Sequence, residues 1–352
     1  MAVSLRDVAA YAGVSVRTVS NVANDFAHVA PGTRRRVQQA IDELGYRPNA
    51  AARQLRRGRA ERVSLVVPEI VSPYFAELAS LTVRIAEERG WTVHIDQTDG
   101  DADRERRMAA GPGGQAVDGV ICSPWAVGPE ELSHRATGPV VLLGERGGSG
   151  GLDHVAIDNV AAAGAATAHL VASGRRRVAA IGAQPHLDNG TARLRLTGYR
   201  DALAAAGLPA QEGLVEPVSR LHRPDGAAAM ARMLDAATAD PARRFDAVFC
   251  FTDELALGAI RTLADRGLRV PDDVAVVGFD DIEDGRYSVP SLSTVSPDKE
   301  EIARLALQCL ADRIANPAAP ARDLVAGHRL VVRGSSVGDP TTGGTAAQVP
   351  MP

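Results

Sequence analysis

Apolar residues at the start of the chain recur with the spacing of short amphipathic helices. The first helix is predicted from an i, i+3, i+4, i+7 stripe formed by Leu5, Val8, Ala9 and Ala12. Ser4 precedes this stripe, where its hydroxyl can accept a hydrogen bond from a backbone N–H of the first turn. Gly13 follows it and is expected to end the helix, because a sharp turn favours a residue that tolerates positive φ.

Two more helices are predicted in the same segment. Ser15 is placed to cap the second helix, in which Val19 and Val22 face inward. Thr33 is placed to cap the third helix, whose apolar face is formed by Val37, Ile41 and Leu44. Gly45 falls just after the end of this helix, at a position where glycine is favoured. The start of the chain is therefore expected to be a small all-α domain.

After Arg62 the pattern changes to short apolar runs separated by longer amphipathic stretches. The runs have the length and continuous apolar character of buried parallel strands, and they are Val63–Val67, Val93–Ile95, Gly119–Cys122, Val140–Leu143, Val155–Ile157, Val178–Ile181, Ala247–Phe251 and Val274–Val277. Helices are predicted at Tyr74–Glu88, Val160–Ala172, Arg195–Ala206, Gly226–Ala236 and Glu254–Asp265. This alternation indicates an α/β fold of doubly wound parallel sheets, and the chain is long enough for two.

Charge is distributed unevenly along the 352 residues. The whole chain has a formal net charge of −4, yet residues 1–60 carry ten Arg against four Asp and Glu, and the rest carries a net charge of −10. A basic head on an acidic body is typical of a polyanion-binding domain attached to a carrier domain. The alternative is that the basic residues form only a solvated charged face.

Neither a metal site nor a membrane segment is indicated. Cys122, Cys250 and Cys309 lie far apart and form no CxxC or Cys/His spacing, so buried, reduced thiols and no bound metal or cofactor are expected. The chain has no apolar leader and no apolar span of membrane length, so a cytoplasmic protein is expected. The tail from Gly338 is rich in Pro, Gly and Thr without an apolar period, and disorder is expected there.

Catalytic patterns are weak as well. The histidines are scattered, and His154 and His169 have no Ser or Cys partner in a recognisable motif. The glycine-rich stretch Gly147–Gly151 lacks a phosphate-binding Lys, and no GxGxxG motif opens a helix. Asp280 and Asp281 are adjacent, so on a strand they would face opposite ways. An enzyme is therefore not expected.

The first two predicted helices have the layout of a helix-turn-helix, a motif that needs a polar, exposed start to its second helix and an apolar rear face. Arg17 could bond the edge of a guanine, Val16 could contact a thymine methyl group, and Asn21 could reach base edges or nearby phosphate. Polar side chains suited to phosphate oxygens surround them, namely Ser15, Thr18, Ser20, Asn24, His28 and Thr33.

Six strings of residues, taken in order, resemble the LacI/GalR family of transcriptional regulators over roughly residues 4–335. They are DVAAYAGVSVRTVSNV, ELGYRPNAAARQL, SPYFAEL, ARLRLTGYRDAL, TDELALGAIRTL and VPDDVAVVGFDD. The resemblance implies a helix-turn-helix head, a hinge helix, and a core of two doubly wound α/β subdomains of the periplasmic-binding-protein type I. It also implies a homodimer that binds double-stranded operator DNA and holds a small ligand in the cleft of its core.

The same resemblance assigns roles to the segment after Pro48, which is too short and basic to form a stable helix alone. In relatives it is a hinge helix that pairs with that of the second subunit on DNA. Leu55 matches the leucine wedged into the minor groove, and Ala52 matches a small residue near the groove floor. Arg53 and Arg56, together with Leu5 in the head, would lie near backbone phosphates. The alternative is a flexible basic linker.

Ligand residues also come from the resemblance. Arg195 matches an arginine that reaches effector hydroxyls or carboxylates, and Asp280 matches an acid that bonds polar ligand groups, beyond the strand ends where open α/β sheets bind ligands. Facing one cleft, they suit a polyhydroxylated solute such as a sugar, or else they form an ion pair that braces the cleft. Where many relatives place an acid after the fourth strand, this chain has Gly144.

Other candidates for the pocket have two interpretations each. Tyr74 and Phe75 either wall the pocket or pack in the core. Trp125 either stacks on a sugar ring or is buried in the core or an interface. Thr252 could bond a ligand hydroxyl, whereas Asp253 is read more simply as a helix N-cap.

The expected domains are a DNA-binding head at 1–47, a hinge helix and linker at 48–61, a ligand-binding and dimerisation core at 62–337, and a disordered tail at 338–352. The expected function is a repressor that binds a palindromic operator and responds, by induction or by co-repression, to a small effector, a sugar being favoured. One alternative is a transport-type sugar-binding protein, which would need a signal peptide and no DNA head. Another is a sugar-converting enzyme, which would need a catalytic constellation.

Overall fold

The computed structural model describes residues 3–23, 26, 28–46, 60–110, 117–144, 150–185 and 190–337. The chain divides into two compact units, residues 1–60 and residues 61–352. The described part of the first unit is all-α, and the second contains two sheets flanked by helices. Both units therefore have the element types that the residue pattern predicts.

The head contains three described helices, α1 (Leu5–Ala12), α2 (Val16–Ala23) and α3 (Pro31–Leu44). Ser4 caps α1 as predicted: its hydroxyl accepts the Asp7 N–H, and the Asp7 carboxylate accepts the Ser4 N–H at 2.8 Å. The hydroxyl of Ser15 accepts the N–H of Thr18 at 3.1 Å, so the predicted cap of α2 is also confirmed.

The prediction that Thr33 caps the third helix is wrong. α3 begins at Pro31, and Ala30 occupies the N-cap position without a side-chain hydrogen bond. Proline suits the first position of a helix, because its fixed φ is helical and the N–H that it lacks would have no partner there. Thr33 therefore lies within the first turn of α3, where it is half-buried.

One valine from each helix forms the centre of the head's core, Val8 from α1, Val19 from α2 and Val37 from α3. All three are completely buried. The remaining apolar residues of the predicted inward faces are buried or partly buried against them, namely Leu5, Ala9, Ala12, Val22, Ile41 and Leu44. Gly13 and Gly45 end α1 and α3 with φ of 62°, as their positions predict.

The first sheet of the core contains β1 (Arg62–Val67), β2 (Thr92–Gln97), β3 (Gly119–Cys122), β4 (Val140–Leu143), β5 (Asp153–Ile157) and β11 (Asp323–Ala326). Its strand order is β11-β5-β4-β3-β1-β2, and all neighbours are parallel. Four described helices belong to this layer: α4 (Pro73–Glu88), α5 (Ala102–Ala109), α6 (Pro129–Arg135) and α12 (Lys299–Ala315).

The second sheet contains β6 (Val178–Ala183), β7 (Val215–Pro217), β8 (Ala247–Cys250), β9 (Ala275–Phe279), β10 (Ser293–Pro297) and β12 (His328–Val331). Its order is β12-β10-β9-β8-β6-β7, parallel except for the antiparallel pair of β10 and β12. Its helices are α7 (Asn159–Ala172), α8 (Gly190–Ala205), α9 (Arg223–Ala239), α10 (Asp253–Asp265), α11 (Glu283–Tyr287) and α13 (Gly334–Val337).

All eight predicted strands are present with small shifts at their ends, so the expectation of two α/β subdomains is confirmed. The chain passes between the two sheets three times, after β5, after β10 and between β11 and β12. At two of these crossings the N–H of Asp298 donates to the carbonyl of Gly327 at 2.9 Å, and the N–H of Gly327 donates to Glu301 at 2.8 Å. The two subdomains are therefore joined by short, mutually bonded segments.

Glycines permit two helix pairs of the second layer to pack closely. A Cβ on Gly198 of α8 would lie 2.1 Å from the carbonyl oxygen of Val160 in α7. A Cβ on Gly258 of α10 would lie 2.0 Å from the carbonyl oxygen of Arg223 in α9. These separations are far below van der Waals contact, so the backbones approach at the places where no side chain intervenes.

The three cysteines are free and buried, as expected, and burial raises the pKa of the Cys122 and Cys250 thiols. Within the described ranges, no group of three or more His, Cys, Asp and Glu side chains could hold a metal ion. No helix in the same ranges is long and apolar enough to cross a membrane.

Candidate functional site

The exposed face of α2 carries the predicted DNA-reading side chains. Val19 and Val22 turn into the head core, which leaves Val16 and Arg17 exposed and Asn21 half-buried. Arg17 and Asn21 are four residues apart and so share one face of the helix. This arrangement is what a recognition helix needs, with polar groups at its start and an apolar rear face.

Some of the side chains predicted to contact phosphate already form hydrogen bonds within the head. The hydroxyls of Ser15 and Thr18 lie 2.8 Å apart at the start of α2. Thr18, Ser20 and Thr33 are half-buried, and His28 is exposed. Asn24 and the four hinge residues Ala52, Leu55, Arg53 and Arg56 lie outside the described residues.

In the core, one cavity of about 130 Å³ lies between the two sheets. It is lined by residues that follow the C-terminal ends of strands from both sheets, as the rule for open α/β sheets requires. The predicted ligand residues Tyr74, Phe75, Trp125, Arg195, Thr252 and Asp280 all line it, as do Glu69, Ser123, Gly144, Asn159, Thr191, His222 and Glu254. The six residues named from the sequence are therefore brought together.

Arg195 projects from α8 and is buried, with three groups of the protein around its guanidinium. Nε donates to the side-chain oxygen of Asn159 at 2.8 Å, and Nη1 donates to the carbonyl oxygen of Phe251. The guanidinium carbon lies 3.4 Å from the centroid of the Phe279 ring, a cation–π contact. These contacts fix the plane of the guanidinium, so its direction toward the cavity is set before any ligand binds.

Asp280 faces Arg195 across the cavity wall, with 3.7 Å between Nη2 of Arg195 and Oδ1 of Asp280. The ion-pair interpretation is therefore confirmed, and because both residues line the cavity, ligand binding by them stays a prediction. Burial raises the pKa of the Asp280 carboxyl to about 7, although Arg195 and Lys299 oppose the shift. Asp280 is thus a carboxyl group that changes its charge near neutral pH.

Asp280 and Asp281 lie in the turn that follows β9. β9 ends at Phe279, and both aspartates have positive φ, 113° and 48°. The turn sends their side chains to different partners. Nη2 of Arg333 lies 2.6 Å from Oδ1 of Asp281. Burial acts to raise the pKa of the Asp281 carboxyl, but the hydrogen bond from Arg333 helps to keep that pKa low.

The expectation that Asp253 caps the helix after β8 is wrong. Thr252 is the N-cap of α10, because its hydroxyl accepts the N–H of Leu255 at 3.2 Å and donates to the carbonyl of Leu221 at 3.0 Å. Asp253 is instead completely buried and accepts bonds from the Thr294 hydroxyl at 2.6 Å and the Ile282 N–H at 2.9 Å. Burial and the nearby Asp280 raise the pKa of its carboxyl well above the usual range.

Aromatic side chains from the first subdomain form one wall. The Phe75 ring makes edge-to-face contacts with two neighbours. Its centroid lies 5.1 Å from that of Tyr74 and 6.3 Å from that of Trp125. Phe75 is buried, while Trp125 is 37% exposed and lies at the cavity. Such amphipathic rings suit an apolar ligand face.

The loop that carries Trp125 is held by a buried carboxylate that the sequence did not reveal. Glu105 of α5 accepts the backbone N–H groups of Trp125 at 2.7 Å, Ala126 at 2.9 Å and Val127 at 2.8 Å. A carboxylate that satisfies three N–H groups of one loop fixes its conformation. Glu105 therefore positions the aromatic wall from behind.

His222 was also missed, and it joins the two subdomains. Its Nε2 lies 2.8 Å from Oε2 of Glu69, which follows β1 in the first subdomain. Its Nδ1 lies 3.4 Å from Oε2 of Glu254 in α10 of the second. The position of Glu69 and Glu254 just after strand ends could have revealed them, whereas His222 follows β7, a three-residue strand with no clear apolar signal.

Gly144 lines the cavity at the end of β4, with a φ of 86°. A side chain at this position would be strained, which accounts for glycine there in conformational terms. Gly144 therefore presents no side chain to this wall of the cavity.

Comparison with known proteins covers both units. Residues 4–49 match the model of bacterial regulatory proteins of the lacI family, and residues 167–336 match a periplasmic binding protein-like domain. The ribose operon repressor of Escherichia coli strain K12 is 33% identical over 336 residues, which cover 95% of this chain and 99% of that protein.

Two solved structures extend the similarity. A complex of the transcriptional regulator CelR with cellobiose has a TM-score of 0.70 and 34% identity, and covers 95% of this chain and 99% of that one. The lac repressor dimer bound to operator and an anti-inducer has a TM-score of 0.82 and 25% identity, and covers 96% of this chain and all of that one.

These similarities settle the choice among the classes that the sequence left open. The match of the head argues against a transport-type binding protein, and the relatives named here are regulators rather than enzymes. The core has the cleft and fold of a ligand-binding domain, and the head has the helix-turn-helix of a DNA reader. The chain belongs to the lacI family of bacterial regulatory proteins, and it is a DNA-binding transcriptional regulator controlled by a small molecule.

Proposed function

We propose that this regulator is a repressor that binds a palindromic operator as a homodimer and is controlled by a small carbohydrate in the core cavity. The composition of the cavity wall supports a carbohydrate as the effector. Trp125 and its aromatic neighbours lie on one side, and the buried Arg195 and Asp280 on another. Sugars present apolar ring faces and hydroxyl groups, which need these two kinds of surface together.

The relatives support a carbohydrate and a dimer. One of the relatives is a ribose operon repressor, and one structure is a complex with cellobiose. The lac repressor structure is described as a dimer bound to operator. In a dimer each head reads one half-site, so the operator has the two-fold symmetry of the protein.

In each head Val16, Arg17 and Asn21 contact bases, and Ala52 and Leu55 of the hinge enter the minor groove at the centre of the operator. Phosphate contacts come from Leu5, Ser15, Thr18, Ser20, Asn24, His28, Thr33, Arg53 and Arg56. The exposed side of α2 supports the base contacts. We place the domain boundaries at 1–47, 48–61, 62–337 and 338–352, and the site of action in the cytoplasm.

Control by the effector follows from the three chain crossings between the sheets. A ligand that contacts both subdomains prefers one angle between them, and its differential affinity shifts the population toward that angle. The two subdomains are already in contact beside the cavity through His222, Glu69 and Glu254. A ligand there would either replace this contact or add to it, and in both cases it would change the preferred angle between the subdomains.

Selection of DNA by the full-length protein from a pool of random duplexes tests the proposal. The expected result is enrichment of one palindrome, with a Leu55→Ala variant that binds it more weakly while its core unfolds at the wild-type temperature. A thermal-shift screen of sugars, neutral and phosphorylated, is expected to show a stabilising ligand, because a ligand that binds only the folded state raises stability. A pool without enrichment would contradict the operator assignment, and a screen without a stabilising sugar would contradict the effector assignment.

A further inference from the structure

The cavity lining contains three acidic residues and one arginine. Glu69, Glu254 and Asp280 all line it, and the side chains of Glu69 and Glu254 are only 13% and 10% exposed. They come from both subdomains and so act on a ligand from more than one side. Carboxylates accept hydrogen bonds from ligand hydroxyl or amine groups and repel anions.

The guanidinium in the cavity lining, that of Arg195, already contacts acceptors of the protein itself. The guanidinium of Arg195 donates to Asn159 and to the carbonyl of Phe251, faces Asp280, and lies flat on the Phe279 ring. An anion that approached Arg195 would have to compete with these acceptors and would also lie close to Asp280.

Two other basic side chains, His222 in the cavity lining and its sequence neighbour Arg223, also lie against carboxylates. His222 lies between Glu69 and Glu254, and Arg223 donates to Glu254 at 2.9 Å and to Asp284 at 3.1 Å. Repulsion of an anion is stronger here than in water, because the wall has a low dielectric constant. The cavity therefore offers no described cationic group without a carboxylate beside it.

We propose that the effector is a polyhydroxylated molecule without a phosphate or carboxylate group, and that Glu69 and Glu254 enforce this selection. The inference rests on the proposed function, in which the cavity binds a carbohydrate effector. Hydroxyl groups of the ligand donate to the carboxylates, and its ring stacks against the aromatic wall. The phosphorylated or oxidised form of the same sugar is rejected by charge rather than by size.

Matched pairs of ligands test this selection on the full-length protein by titration calorimetry. The pairs are ribose and ribose 5-phosphate, glucose and glucose 6-phosphate, and cellobiose and cellobionate. For whichever neutral member binds, the anionic member is expected to bind at least about thirtyfold more weakly. Glu69→Gln and Glu254→Gln are each expected to reduce this ratio by about tenfold, and Glu130→Gln, which alters an exposed carboxylate of α6, is expected to leave it unchanged.

The outcomes distinguish failure of the charge selection from failure of the carbohydrate assignment. An anionic member that binds as tightly as its neutral partner, or that binds alone, would overturn the selection while leaving a sugar-responsive regulator in place. A ratio that survives both Gln substitutions would also overturn it, since the discrimination would then come from elsewhere. If no member of any pair binds, the carbohydrate assignment of the proposed function fails, and the selection fails with it.

Discussion

The buried carboxylate of Glu105 accepts the backbone N–H of Trp125 at 2.7 Å, and it accepts the next two N–H groups of the same loop as well. A helix of the first subdomain thereby holds the indole that lies at the cavity. The side chain that is expected to contact the ligand and the side chain that positions it are twenty residues apart in sequence. We therefore expect ligand recognition to depend on a residue that does not line the cavity.

Glu105→Ala is expected to release this loop. Three N–H groups would lose their acceptor, so the free energy of unfolding should fall by about 2–3 kcal/mol, and the environment of Trp125 should change. The chain has two tryptophans, so Trp91→Phe leaves Trp125 as the sole indole for fluorescence. In that background Glu105→Ala should shift the emission maximum, while the matched control Glu87→Ala, at an exposed site on α4, should not. An unchanged emission would mean that Glu105 does not position the indole.

Asp280 should make the stability of the core depend on pH. Burial raises its pKa to about 7 in the folded state, so between about pH 4 and pH 7 the folded protein keeps a proton that the unfolded chain has lost. The free energy of unfolding therefore falls as pH rises through this window, by up to about 4 kcal/mol, and changes no further above it.

Urea unfolding of wild type and Asp280→Asn at several pH values between 4.5 and 8 checks this dependence. The amide cannot ionise, so the variant should gain stability relative to wild type as pH rises. The exposed Asp201→Asn on α8 should follow the wild-type profile. A constant difference between Asp280→Asn and wild type across the range would contradict the raised pKa.

Gly198 and Gly164 provide a matched pair for the close packing of α7 and α8. A Cβ on Gly198 would meet the Val160 carbonyl at 2.1 Å, so Gly198→Ala must separate the helices and should lower the free energy of unfolding by about 1–3 kcal/mol. A Cβ on Gly164 would lie 3.6 Å from the nearest atom, the Gly198 carbonyl, which is ordinary contact. Gly164→Ala should therefore be neutral or stabilise by up to about 1 kcal/mol. Equal effects of the two substitutions in thermal unfolding would show that the helices are free to adjust.

Arg17→Ala should relax the base preference at one position in each half-site, at a cost of about 1–3 kcal/mol for the preferred base. Competition binding with operators that differ at single positions measures this preference. Arg261→Ala removes an exposed arginine from the core and should leave the preference unchanged. If Arg17→Ala weakened binding equally for every base at every position, Arg17 would be a phosphate contact rather than a base reader.

The architecture was largely predictable, because buried parallel strands and amphipathic helices leave strong patterns. Four strands were missed because no continuous apolar run reveals them. β7, β11 and β12 are short edge strands with several exposed or half-buried residues, and β10 is mostly buried but contains Ser293, Thr294 and Ser296. α12 was missed although its signals are present, with Asp298 as N-cap and buried Ala303, Leu307 and Leu310 at helical spacing.

The site was predictable only as far as the family's motifs reach. Arg195, Asp280 and Trp125 line the cavity as expected, but the bridge through His222 and the support from Glu105 arise from tertiary contacts between segments far apart in sequence. The error at Asp253 has a related cause. Its short distance from a helix start suggested a cap, whereas the fold buries it against Thr294.

Linkage between operator DNA and the sugar on the full-length protein is the most direct test of an effector-controlled repressor. Fluorescence anisotropy measures the dissociation constant for the selected palindrome with and without a saturating neutral sugar from the thermal-shift screen. We predict a change of about tenfold or more in wild type, which Asp280→Asn should reduce, since coupling between sites amounts to a few kcal/mol. An operator affinity that is identical with and without the bound sugar would contradict this prediction.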